Sequence, residues 1–352
     1  MNISKNNQPL LWGLLHGVND LVAGFILAHY TLQQDYSNSF LYITLYAIIG
    51  FGGQLPVGFW LDSSKQLKPF ANASLILLPI AALTAFISLP AAIIISGISS
   101  AFVHVTGGAV CLQVHNNKTG PLGIFTAPGV LGLTAGSIIG QYTLWPLAII
   151  AAVAMLTGLI ISKTELPVYK TPEKKQSELD SHDFIMLTVL LLMCFRSFLY
   201  DVINYSAEYF EDGVLYIGLS AFAGKIIGGF IADKIGVKKF IYISMLAALL
   251  LFQFGKENIY TLCMGVACLQ SSVPVTLLLM GRSLPIHPAT ATALTLGTSI
   301  ALAGLPLYLV TDKEKIFSHF NNPLLTAGVF LIFILLWIFL FMRWRKQKNI
   351  FS

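Results

Sequence analysis

The chain has 352 residues, of which 56% are hydrophobic and 11% charged, where an average soluble domain is about 25% charged. Too few polar side chains remain to coat a water-soluble globule, so the bilayer must be the solvent for most of the molecule. The net charge of +5 is gathered between apolar runs, which argues against nucleic acid as a partner.

A membrane-crossing helix takes ~20 mostly apolar residues. Met1 to Pro9 is polar, and no small-residue cleavage site follows the first apolar run, so a retained helix is expected there rather than a signal peptide. Twelve runs follow, numbered here as spans 1 to 12. The first six are 9–31, 40–61, 69–88, 89–113, 120–141 and 143–162. The last six are 183–206, 213–232, 238–255, 258–280, 288–310 and 323–343. Several connections are very short, so consecutive helices are antiparallel neighbours. The one long polar stretch, 163–182, carries Pro167, Pro172 and a Lys/Glu mixture. The expected organisation is therefore an all-α polytopic membrane protein of about 12 transmembrane helices. Residues 1–162 form one six-helix bundle, 163–182 a cytoplasmic linker and 183–352 a second six-helix bundle. Cys111, Cys194, Cys263 and Cys268 fall inside apolar runs without metal-ligand spacing and read as small packing residues.

Basic residues set the orientation. With this span plan, 16 of the 21 Lys and Arg residues fall on the side of the N-terminus. Lys256, Lys313 and Lys315 fall on the other side, and Arg196 and Lys225 lie within spans. The positive-inside rule then puts both termini and the linker in the cytoplasm of a multi-pass protein of the cell (plasma or inner) membrane.

Span 8 ends in Gly229-Phe230-Ile231-Ala232-Asp233-Lys234-Ile235-Gly236-Val237-Lys238-Lys239. A weaker echo ends span 2: Gly58-Phe59-Trp60-Leu61-Asp62, followed by Lys65 and Lys68. The two lie 171 residues apart (229 − 58), once per half. Gly58 and Gly229 allow close helix approach. Asp62 and Asp233 sit at helix ends, where they can accept from a neighbouring helix N-terminus or pair with a cation. Lys234, Lys238 and Lys239 suit an anionic inner leaflet, and Gly236 permits the turn. This repeated pattern resembles the signature loops of the major facilitator superfamily of secondary transporters. The resemblance implies that both loops are conformational latches and that spans 1, 4, 7 and 10 line a central cavity. The first copy departs from the pattern, since Ser63-Ser64-Lys65-Gln66-Leu67-Lys68 replaces the usual basic run, so its latch role is the less supported. In span 5, Gly129, Gly132, Gly136 and Gly140 follow Pro128. The ladder is similar to helix 5 of drug/proton antiporters without its closing Gly-Pro step, and tight packing is the expected role.

Ionisable side chains inside a bilayer must face a cavity or a partner. Span 1 carries His16, Asn19 and Asp20 on one helical face, with His29 near its far end. Span 4 carries Ser100 and His104; span 7 carries Arg196, Tyr200 and Asn204, with Asp201 off that face. Span 10 carries Gln270 and Ser271 ahead of Pro274. Arg196 and Asp201 are five residues apart, roughly 140° around a helix, so Arg196 needs another partner, and Asp20 is the attractive one. Asp20 reads as a protonatable coupling site or as a structural carboxylate. Arg196 reads as counter-ion to an anionic substrate group or to Asp20, or as a permanently paired cation. His104 reads as a proton relay or a packing residue; His16 and His29 are weaker candidates. Lys225 lies nearer the cytoplasm and is long enough to snorkel to headgroups.

No phosphate-cradling Gly-rich loop, zinc-binding His-Glu-x-x-His or Gly-x-Ser-x-Gly elbow is present, so no enzyme, cofactor or metal site is expected. The expected activity is alternating-access secondary transport of a small solute, coupled to protons, by a monomer in the lipid bilayer. A non-transporting receptor, assembly factor or scaffold of the same fold is the alternative.

Overall fold

The computed structural model describes residues 5–33, 36–115, 117–169, 181–207, 210–255, 257–309 and 323–345. Linker residues 170–180, with Lys170, Pro172, Lys174 and Lys175, lie outside this set. So do Lys256, Lys313, Lys315, Lys346 and Lys348. Among the described residues all regular structure is helical, and each of the twelve expected spans is present. Uninterrupted helices form span 1 (Gln8–Gln33), span 3 (Leu67–Thr84), span 4 (Leu89–Val114), span 5 (Thr119–Ile139) and span 6 (Pro146–Ser162). They also form span 7 (Ser181–Ala207), span 8 (Gly213–Ile235), span 9 (Val237–Gly255) and span 12 (Pro323–Arg345). Three spans are broken. Span 2 runs as Tyr36–Ala47, a π-helical turn Ile48–Gly52, then Gln54–Ser64. Span 11 repeats the device, with Pro288–Thr292, a π-helical turn Ala293–Thr298 and Ser299–Leu309. Span 10 is Ile259–Gln270 and Ser272–Ser283, interrupted just before Pro274, which has no N–H for the helical ladder.

Local chemistry sets several boundaries. Ser88 Oγ accepts from the Ala91 N–H at 3.4 Å and Pro90 opens span 4; Asn258 Oδ1 accepts from the Tyr260 N–H at 2.9 Å at the start of span 10. Span 8 stops at Gly236, whose φ of +89° glycine adopts freely. Span 2 stops at Lys65 with a φ of 56°, a left-handed conformation that costs a non-glycine residue roughly 1–2 kcal/mol. The first signature loop thus makes a comparable turn without the glycine.

The outer faces carry exposed Ile76, Ile80, Ile87, Ile149, Leu156 and Leu159, as a lipid-facing surface requires. The interior of the first six spans is built on Trp12, Phe25 and Phe125, each fully buried. In the last six, span 12 packs Phe330 against Phe252 of span 9, ring centroids 5.6 Å apart. Spans 1 and 5 approach to backbone contact: a Cβ at Gly132 would lie 2.0 Å from the Gly17 carbonyl oxygen, and one at Gly136 2.2 Å from that of Leu21. This is the packing role expected for the ladder.

The two sets of six spans meet along two seams: span 5 against span 8, flanked by span 10, and span 2 against span 11, flanked by span 4. At the second seam the two π-helical turns face each other.

Candidate functional site

The signature loops lie at the ends of these seams. Asp233, at the end of span 8, accepts from the Thr119 N–H (2.7 Å), Thr119 Oγ1 (2.7 Å) and the Gly120 N–H (2.9 Å). Those donors are the orphan amides at the N-terminus of span 5, where a carboxylate also meets the positive end of the helix dipole. Gly229, one turn earlier, lets Thr119 Oγ1 reach its carbonyl at 2.6 Å. Asp62, at the end of span 2, makes the equivalent contacts to span 11. It accepts from the Ala289 N–H (3.1 Å), the Thr290 N–H (2.7 Å) and Thr290 Oγ1 (2.5 Å). The Tyr169 hydroxyl donates to the same carboxylate, and His287 Nδ1 lies 3.9 Å away. Burial and the adjacent Asp62 carboxylate push the ionisation of Tyr169 upward, so the phenol stays a donor.

The first copy is therefore not the weaker one in structure. Asp62 is 5% exposed, whereas Asp233 is exposed. Tyr169 and His287, which lie far from Asp62 in sequence, add to the contacts of this copy. The trailing Lys234, Lys238 and Lys239 are exposed and available to a headgroup surface.

Between the seams lies a cavity of about 190 Å³. Its polar wall is made by His16, Asp20, His104, Arg196, Asp201, Lys225 and Gln270, and its apolar wall by Phe51, Val130 and Leu296 among others. Spans 1, 4, 7 and 10 all contribute, joined by spans 2, 5, 8 and 11. Asn204 is not among the lining side chains, and Asn19 stands behind the wall. Asn19 Nδ2 donates to Asp20 Oδ1 at 3.0 Å, while its own Oδ1 accepts from Ser99 Oγ at 3.2 Å, so its role is to orient the carboxylate.

His16 and His104 hold Asp20 between them. Their Nε2 atoms lie 3.2 Å and 3.6 Å from its two oxygens. His16 Nδ1 faces the Phe125 carbonyl at 3.0 Å, and His104 Nδ1 faces the Ser100 carbonyl at 2.8 Å. A carbonyl only accepts, so each Nδ1 carries a proton, and each Nε2 is left facing the carboxylate, where the two can take up or share a proton. The two rings pack edge to face at 4.3 Å. A Cβ at Gly129 would lie 2.2 Å from His16 Nε2 and 2.6 Å from Asp20 Oδ2, so this glycine makes room for the cluster. The three ligand-capable atoms lie within 4.8 Å of one another, compact enough to share a proton or, by spacing alone, to admit a small metal ion.

Arg196 pairs elsewhere than expected. Nη1 donates to Gln270 Oε1 at 3.2 Å and Nη2 to Ser197 Oγ at 2.9 Å; among the described residues no ion pair joins it to Asp20. Asp20 is already held by the two histidines. Lys225 does not snorkel: its Nζ donates to the Thr126 carbonyl at 3.3 Å and lines the cavity. Its eight-residue distance from Asp233, a span end, was the available sign that it lies two turns inside the span. His16, the weaker histidine by sequence, is central, and its i, i+4 spacing to Asp20 was legible. His29 bonds the Gly140 carbonyl at 2.9 Å, away from the cavity.

No curated protein sequence matches the chain at a significant level. Among solved structures, the E. coli fucose:proton symporter FucP superposes with a TM-score of 0.71 at 14% identity, covering 96% of this chain and 97% of that one. FucP in the outward conformation gives 0.70 at 14% identity, with the same coverage. The human organic anion transporter MFSD10 (TETRAN) gives 0.61 at 16% identity, covering 95% of this chain and 100% of that one. The likenesses establish the fold that the helix plan implied. The family model of the Major Facilitator Superfamily matches residues 10–255, and with its signature loops latched across both seams this multi-pass membrane chain belongs to that superfamily.

Proposed function

We propose that the chain is a proton-coupled secondary transporter of a small solute, with the His16–Asp20–His104 cluster as the proton site. The observation that carries the reading is the meeting of two histidine Nε2 atoms with one carboxylate, each ring's Nδ1 being occupied by a backbone carbonyl. With its protons removed, the cluster has only the donor supplied by Asn19, and its Nε2 and carboxylate atoms all accept. Such an arrangement repels itself unless a proton sits between its members, and a buried carboxylate is costly without that compensation. Proton binding therefore closes the cluster, and proton loss loosens it against the cavity wall. The likeness to a fucose:proton symporter agrees with this reading.

The two six-span sets, 1–162 and 183–352, act as bundles joined by the linker 163–182 and rock about the seams. The positive-inside distribution puts the signature loops and both termini in the cytoplasm of the cell membrane. The Asp62 and Asp233 contacts then hold the cytoplasmic side shut, and opening it breaks both sets of hydrogen bonds. No enzymatic step is invoked. In a fixed scaffold Arg196 and Asp20 would satisfy each other; here, among the described residues, they do not, and Arg196 Nε has no partner, which favours the transporter.

The test is reconstitution into liposomes with an entrapped pH-sensitive dye. L-Lactate, succinate, phosphate, L-fucose and choline are each added outside as probes. Wild type is expected to admit protons with at least one probe. Asp20→Asn is expected to abolish that proton influx while leaving solute counterflow measurable. Unchanged proton influx in the variant removes Asp20 and its cluster from the mechanism.

A further inference from the structure

We infer that the transported solute is a small organic or inorganic oxyanion, bound between Arg196 and Lys225; this rests on the transporter reading above. Arg196 is 5% exposed, and its guanidinium faces the cavity. Among the described residues its polar contacts are to neutral groups, the Gln270 amide and the Ser197 hydroxyl, and Nε has no acceptor. Lys225 shares the cavity wall, and its Nζ contact is a carbonyl at 3.3 Å. Among the described residues, no carboxylate lies within 4.0 Å of either cation.

Two carboxylates share the cavity, and neither neutralises these cations by contact. Asp20 is committed to His16, His104 and Asn19. Asp201 lines the same wall on the helix of Arg196, and among the described residues it makes no ion pair with it. Buried cations without a contacting anion are costly, and the cost is removed when an anion enters. Guanidinium offers a planar fork that matches carboxylate and phosphate oxygens, and Gln270 and Ser197 fix its plane. Lys225, a point charge from the next span, suits a second oxygen. The opposite wall, with Phe51, Val130 and Leu296, accepts an apolar remainder.

The two halves of the mechanism then reinforce one another. The proton goes to the span 1 and span 4 cluster and the anion to spans 7 and 8, so each neutralises the charge that the other brings. Proton and anion load the same state and move in the same direction.

The test is thermal unfolding of detergent-purified wild type, Arg196→Gln, Arg196→Lys and Lys225→Met. Each is titrated with sodium succinate, L-lactate, sodium phosphate, L-fucose and choline. At least one anion is expected to stabilise wild type by several degrees, with Kd raised tenfold or more in Arg196→Gln and in Lys225→Met. Arg196→Lys should recover part of the loss. Succinate or lactate against phosphate separates carboxylate from phosphate recognition. Stabilisation by fucose or choline alone, equal anion binding in the variants, or no shift with any probe each overturns the inference. Should Arg196→Gln fail to elute as a single species, Lys225→Met and Arg196→Lys decide. Proton influx driven by fucose or choline would sink this inference and leave the transporter reading standing. Anion binding through Arg196 without flux would do the reverse.

Discussion

Replacing Asp62 by Asn keeps the shape of the side chain and removes its charge. In the native contact the carboxylate takes three hydrogen bonds from Ala289 and Thr290, plus the Tyr169 hydroxyl. Asn retains one accepting oxygen. Its NH2 group replaces Oδ2 and then faces the Thr290 N–H, donor to donor, at a position where 2.7 Å separates the native pair. A hydrogen bond to a charged group contributes about 1.5–3 kcal/mol. Charge against a helix N-terminus adds up to about 2 kcal/mol in partly buried geometry. Allowing for the smaller desolvation of the neutral amide, the closed contact loses about 2–4 kcal/mol, which shifts the closed-to-open ratio roughly 30- to 700-fold. Asp233 makes similar bonds but is exposed. Solvent screening holds the effect of Asp233→Asn to about 1 kcal/mol, roughly fivefold. The assay is a distance distribution between spin labels at Gln66 and Lys238, exposed positions beside the two signature loops. It is measured in lipid, on a background lacking the native cysteines. Asp62→Asn should populate a longer distance strongly and Asp233→Asn weakly. An unchanged distribution in Asp62→Asn, or a larger change in Asp233→Asn, refutes the ranking and the hydrogen-bond reasoning behind it.

Two further outcomes are expected from the same contacts. Tyr169→Phe removes the linker's donor to Asp62 and should weaken the closed state by about 1 kcal/mol, a smaller shift in the same spin-label distances than Asp62→Asn produces; a distribution identical to wild type removes Tyr169 from the latch. Gly132→Leu and Gly229→Leu should separate folding from gating. The first drives a Cβ to 2.0 Å from a backbone carbonyl within one set of spans and should abolish folded protein. The second meets the Thr119 carbonyl of the other set at 2.8 Å, which the seam can relieve by opening. It should yield folded protein, judged by elution and unfolding temperature, with the open distance enriched; equal yields from the two variants count against this division.

Much of the architecture was legible in the residues. Twelve apolar runs became twelve spans because backbone groups in hydrocarbon must bond within their own segment, so length and polarity decide each helix locally. The Gly and Asp of the signature loops were legible for the same reason: a turn residue and a helix-end carboxylate act within a few residues of themselves. The partners of those groups were not. Tyr169 reaches Asp62 from 107 residues away, and His104 meets Asp20 from another span. The expected Asp20–Arg196 pair failed on this point. Helical spacing says which side chains share a face of one span and is silent on the rotation of that face relative to its neighbours.

The sequence by itself determined that this protein spans a membrane, how many times, and where its two signature-loop carboxylates stand, because those properties follow from local hydropathy and helix-end chemistry. Only the tertiary structure decided that the carboxylates cap helices across the seams, that Asp20 belongs to two histidines, and that Arg196 and Lys225 face a cavity where, among the described residues, no carboxylate contacts them. Those are relations between spans, set by how closely glycines let helices approach and by which buried charge reaches which acceptor first.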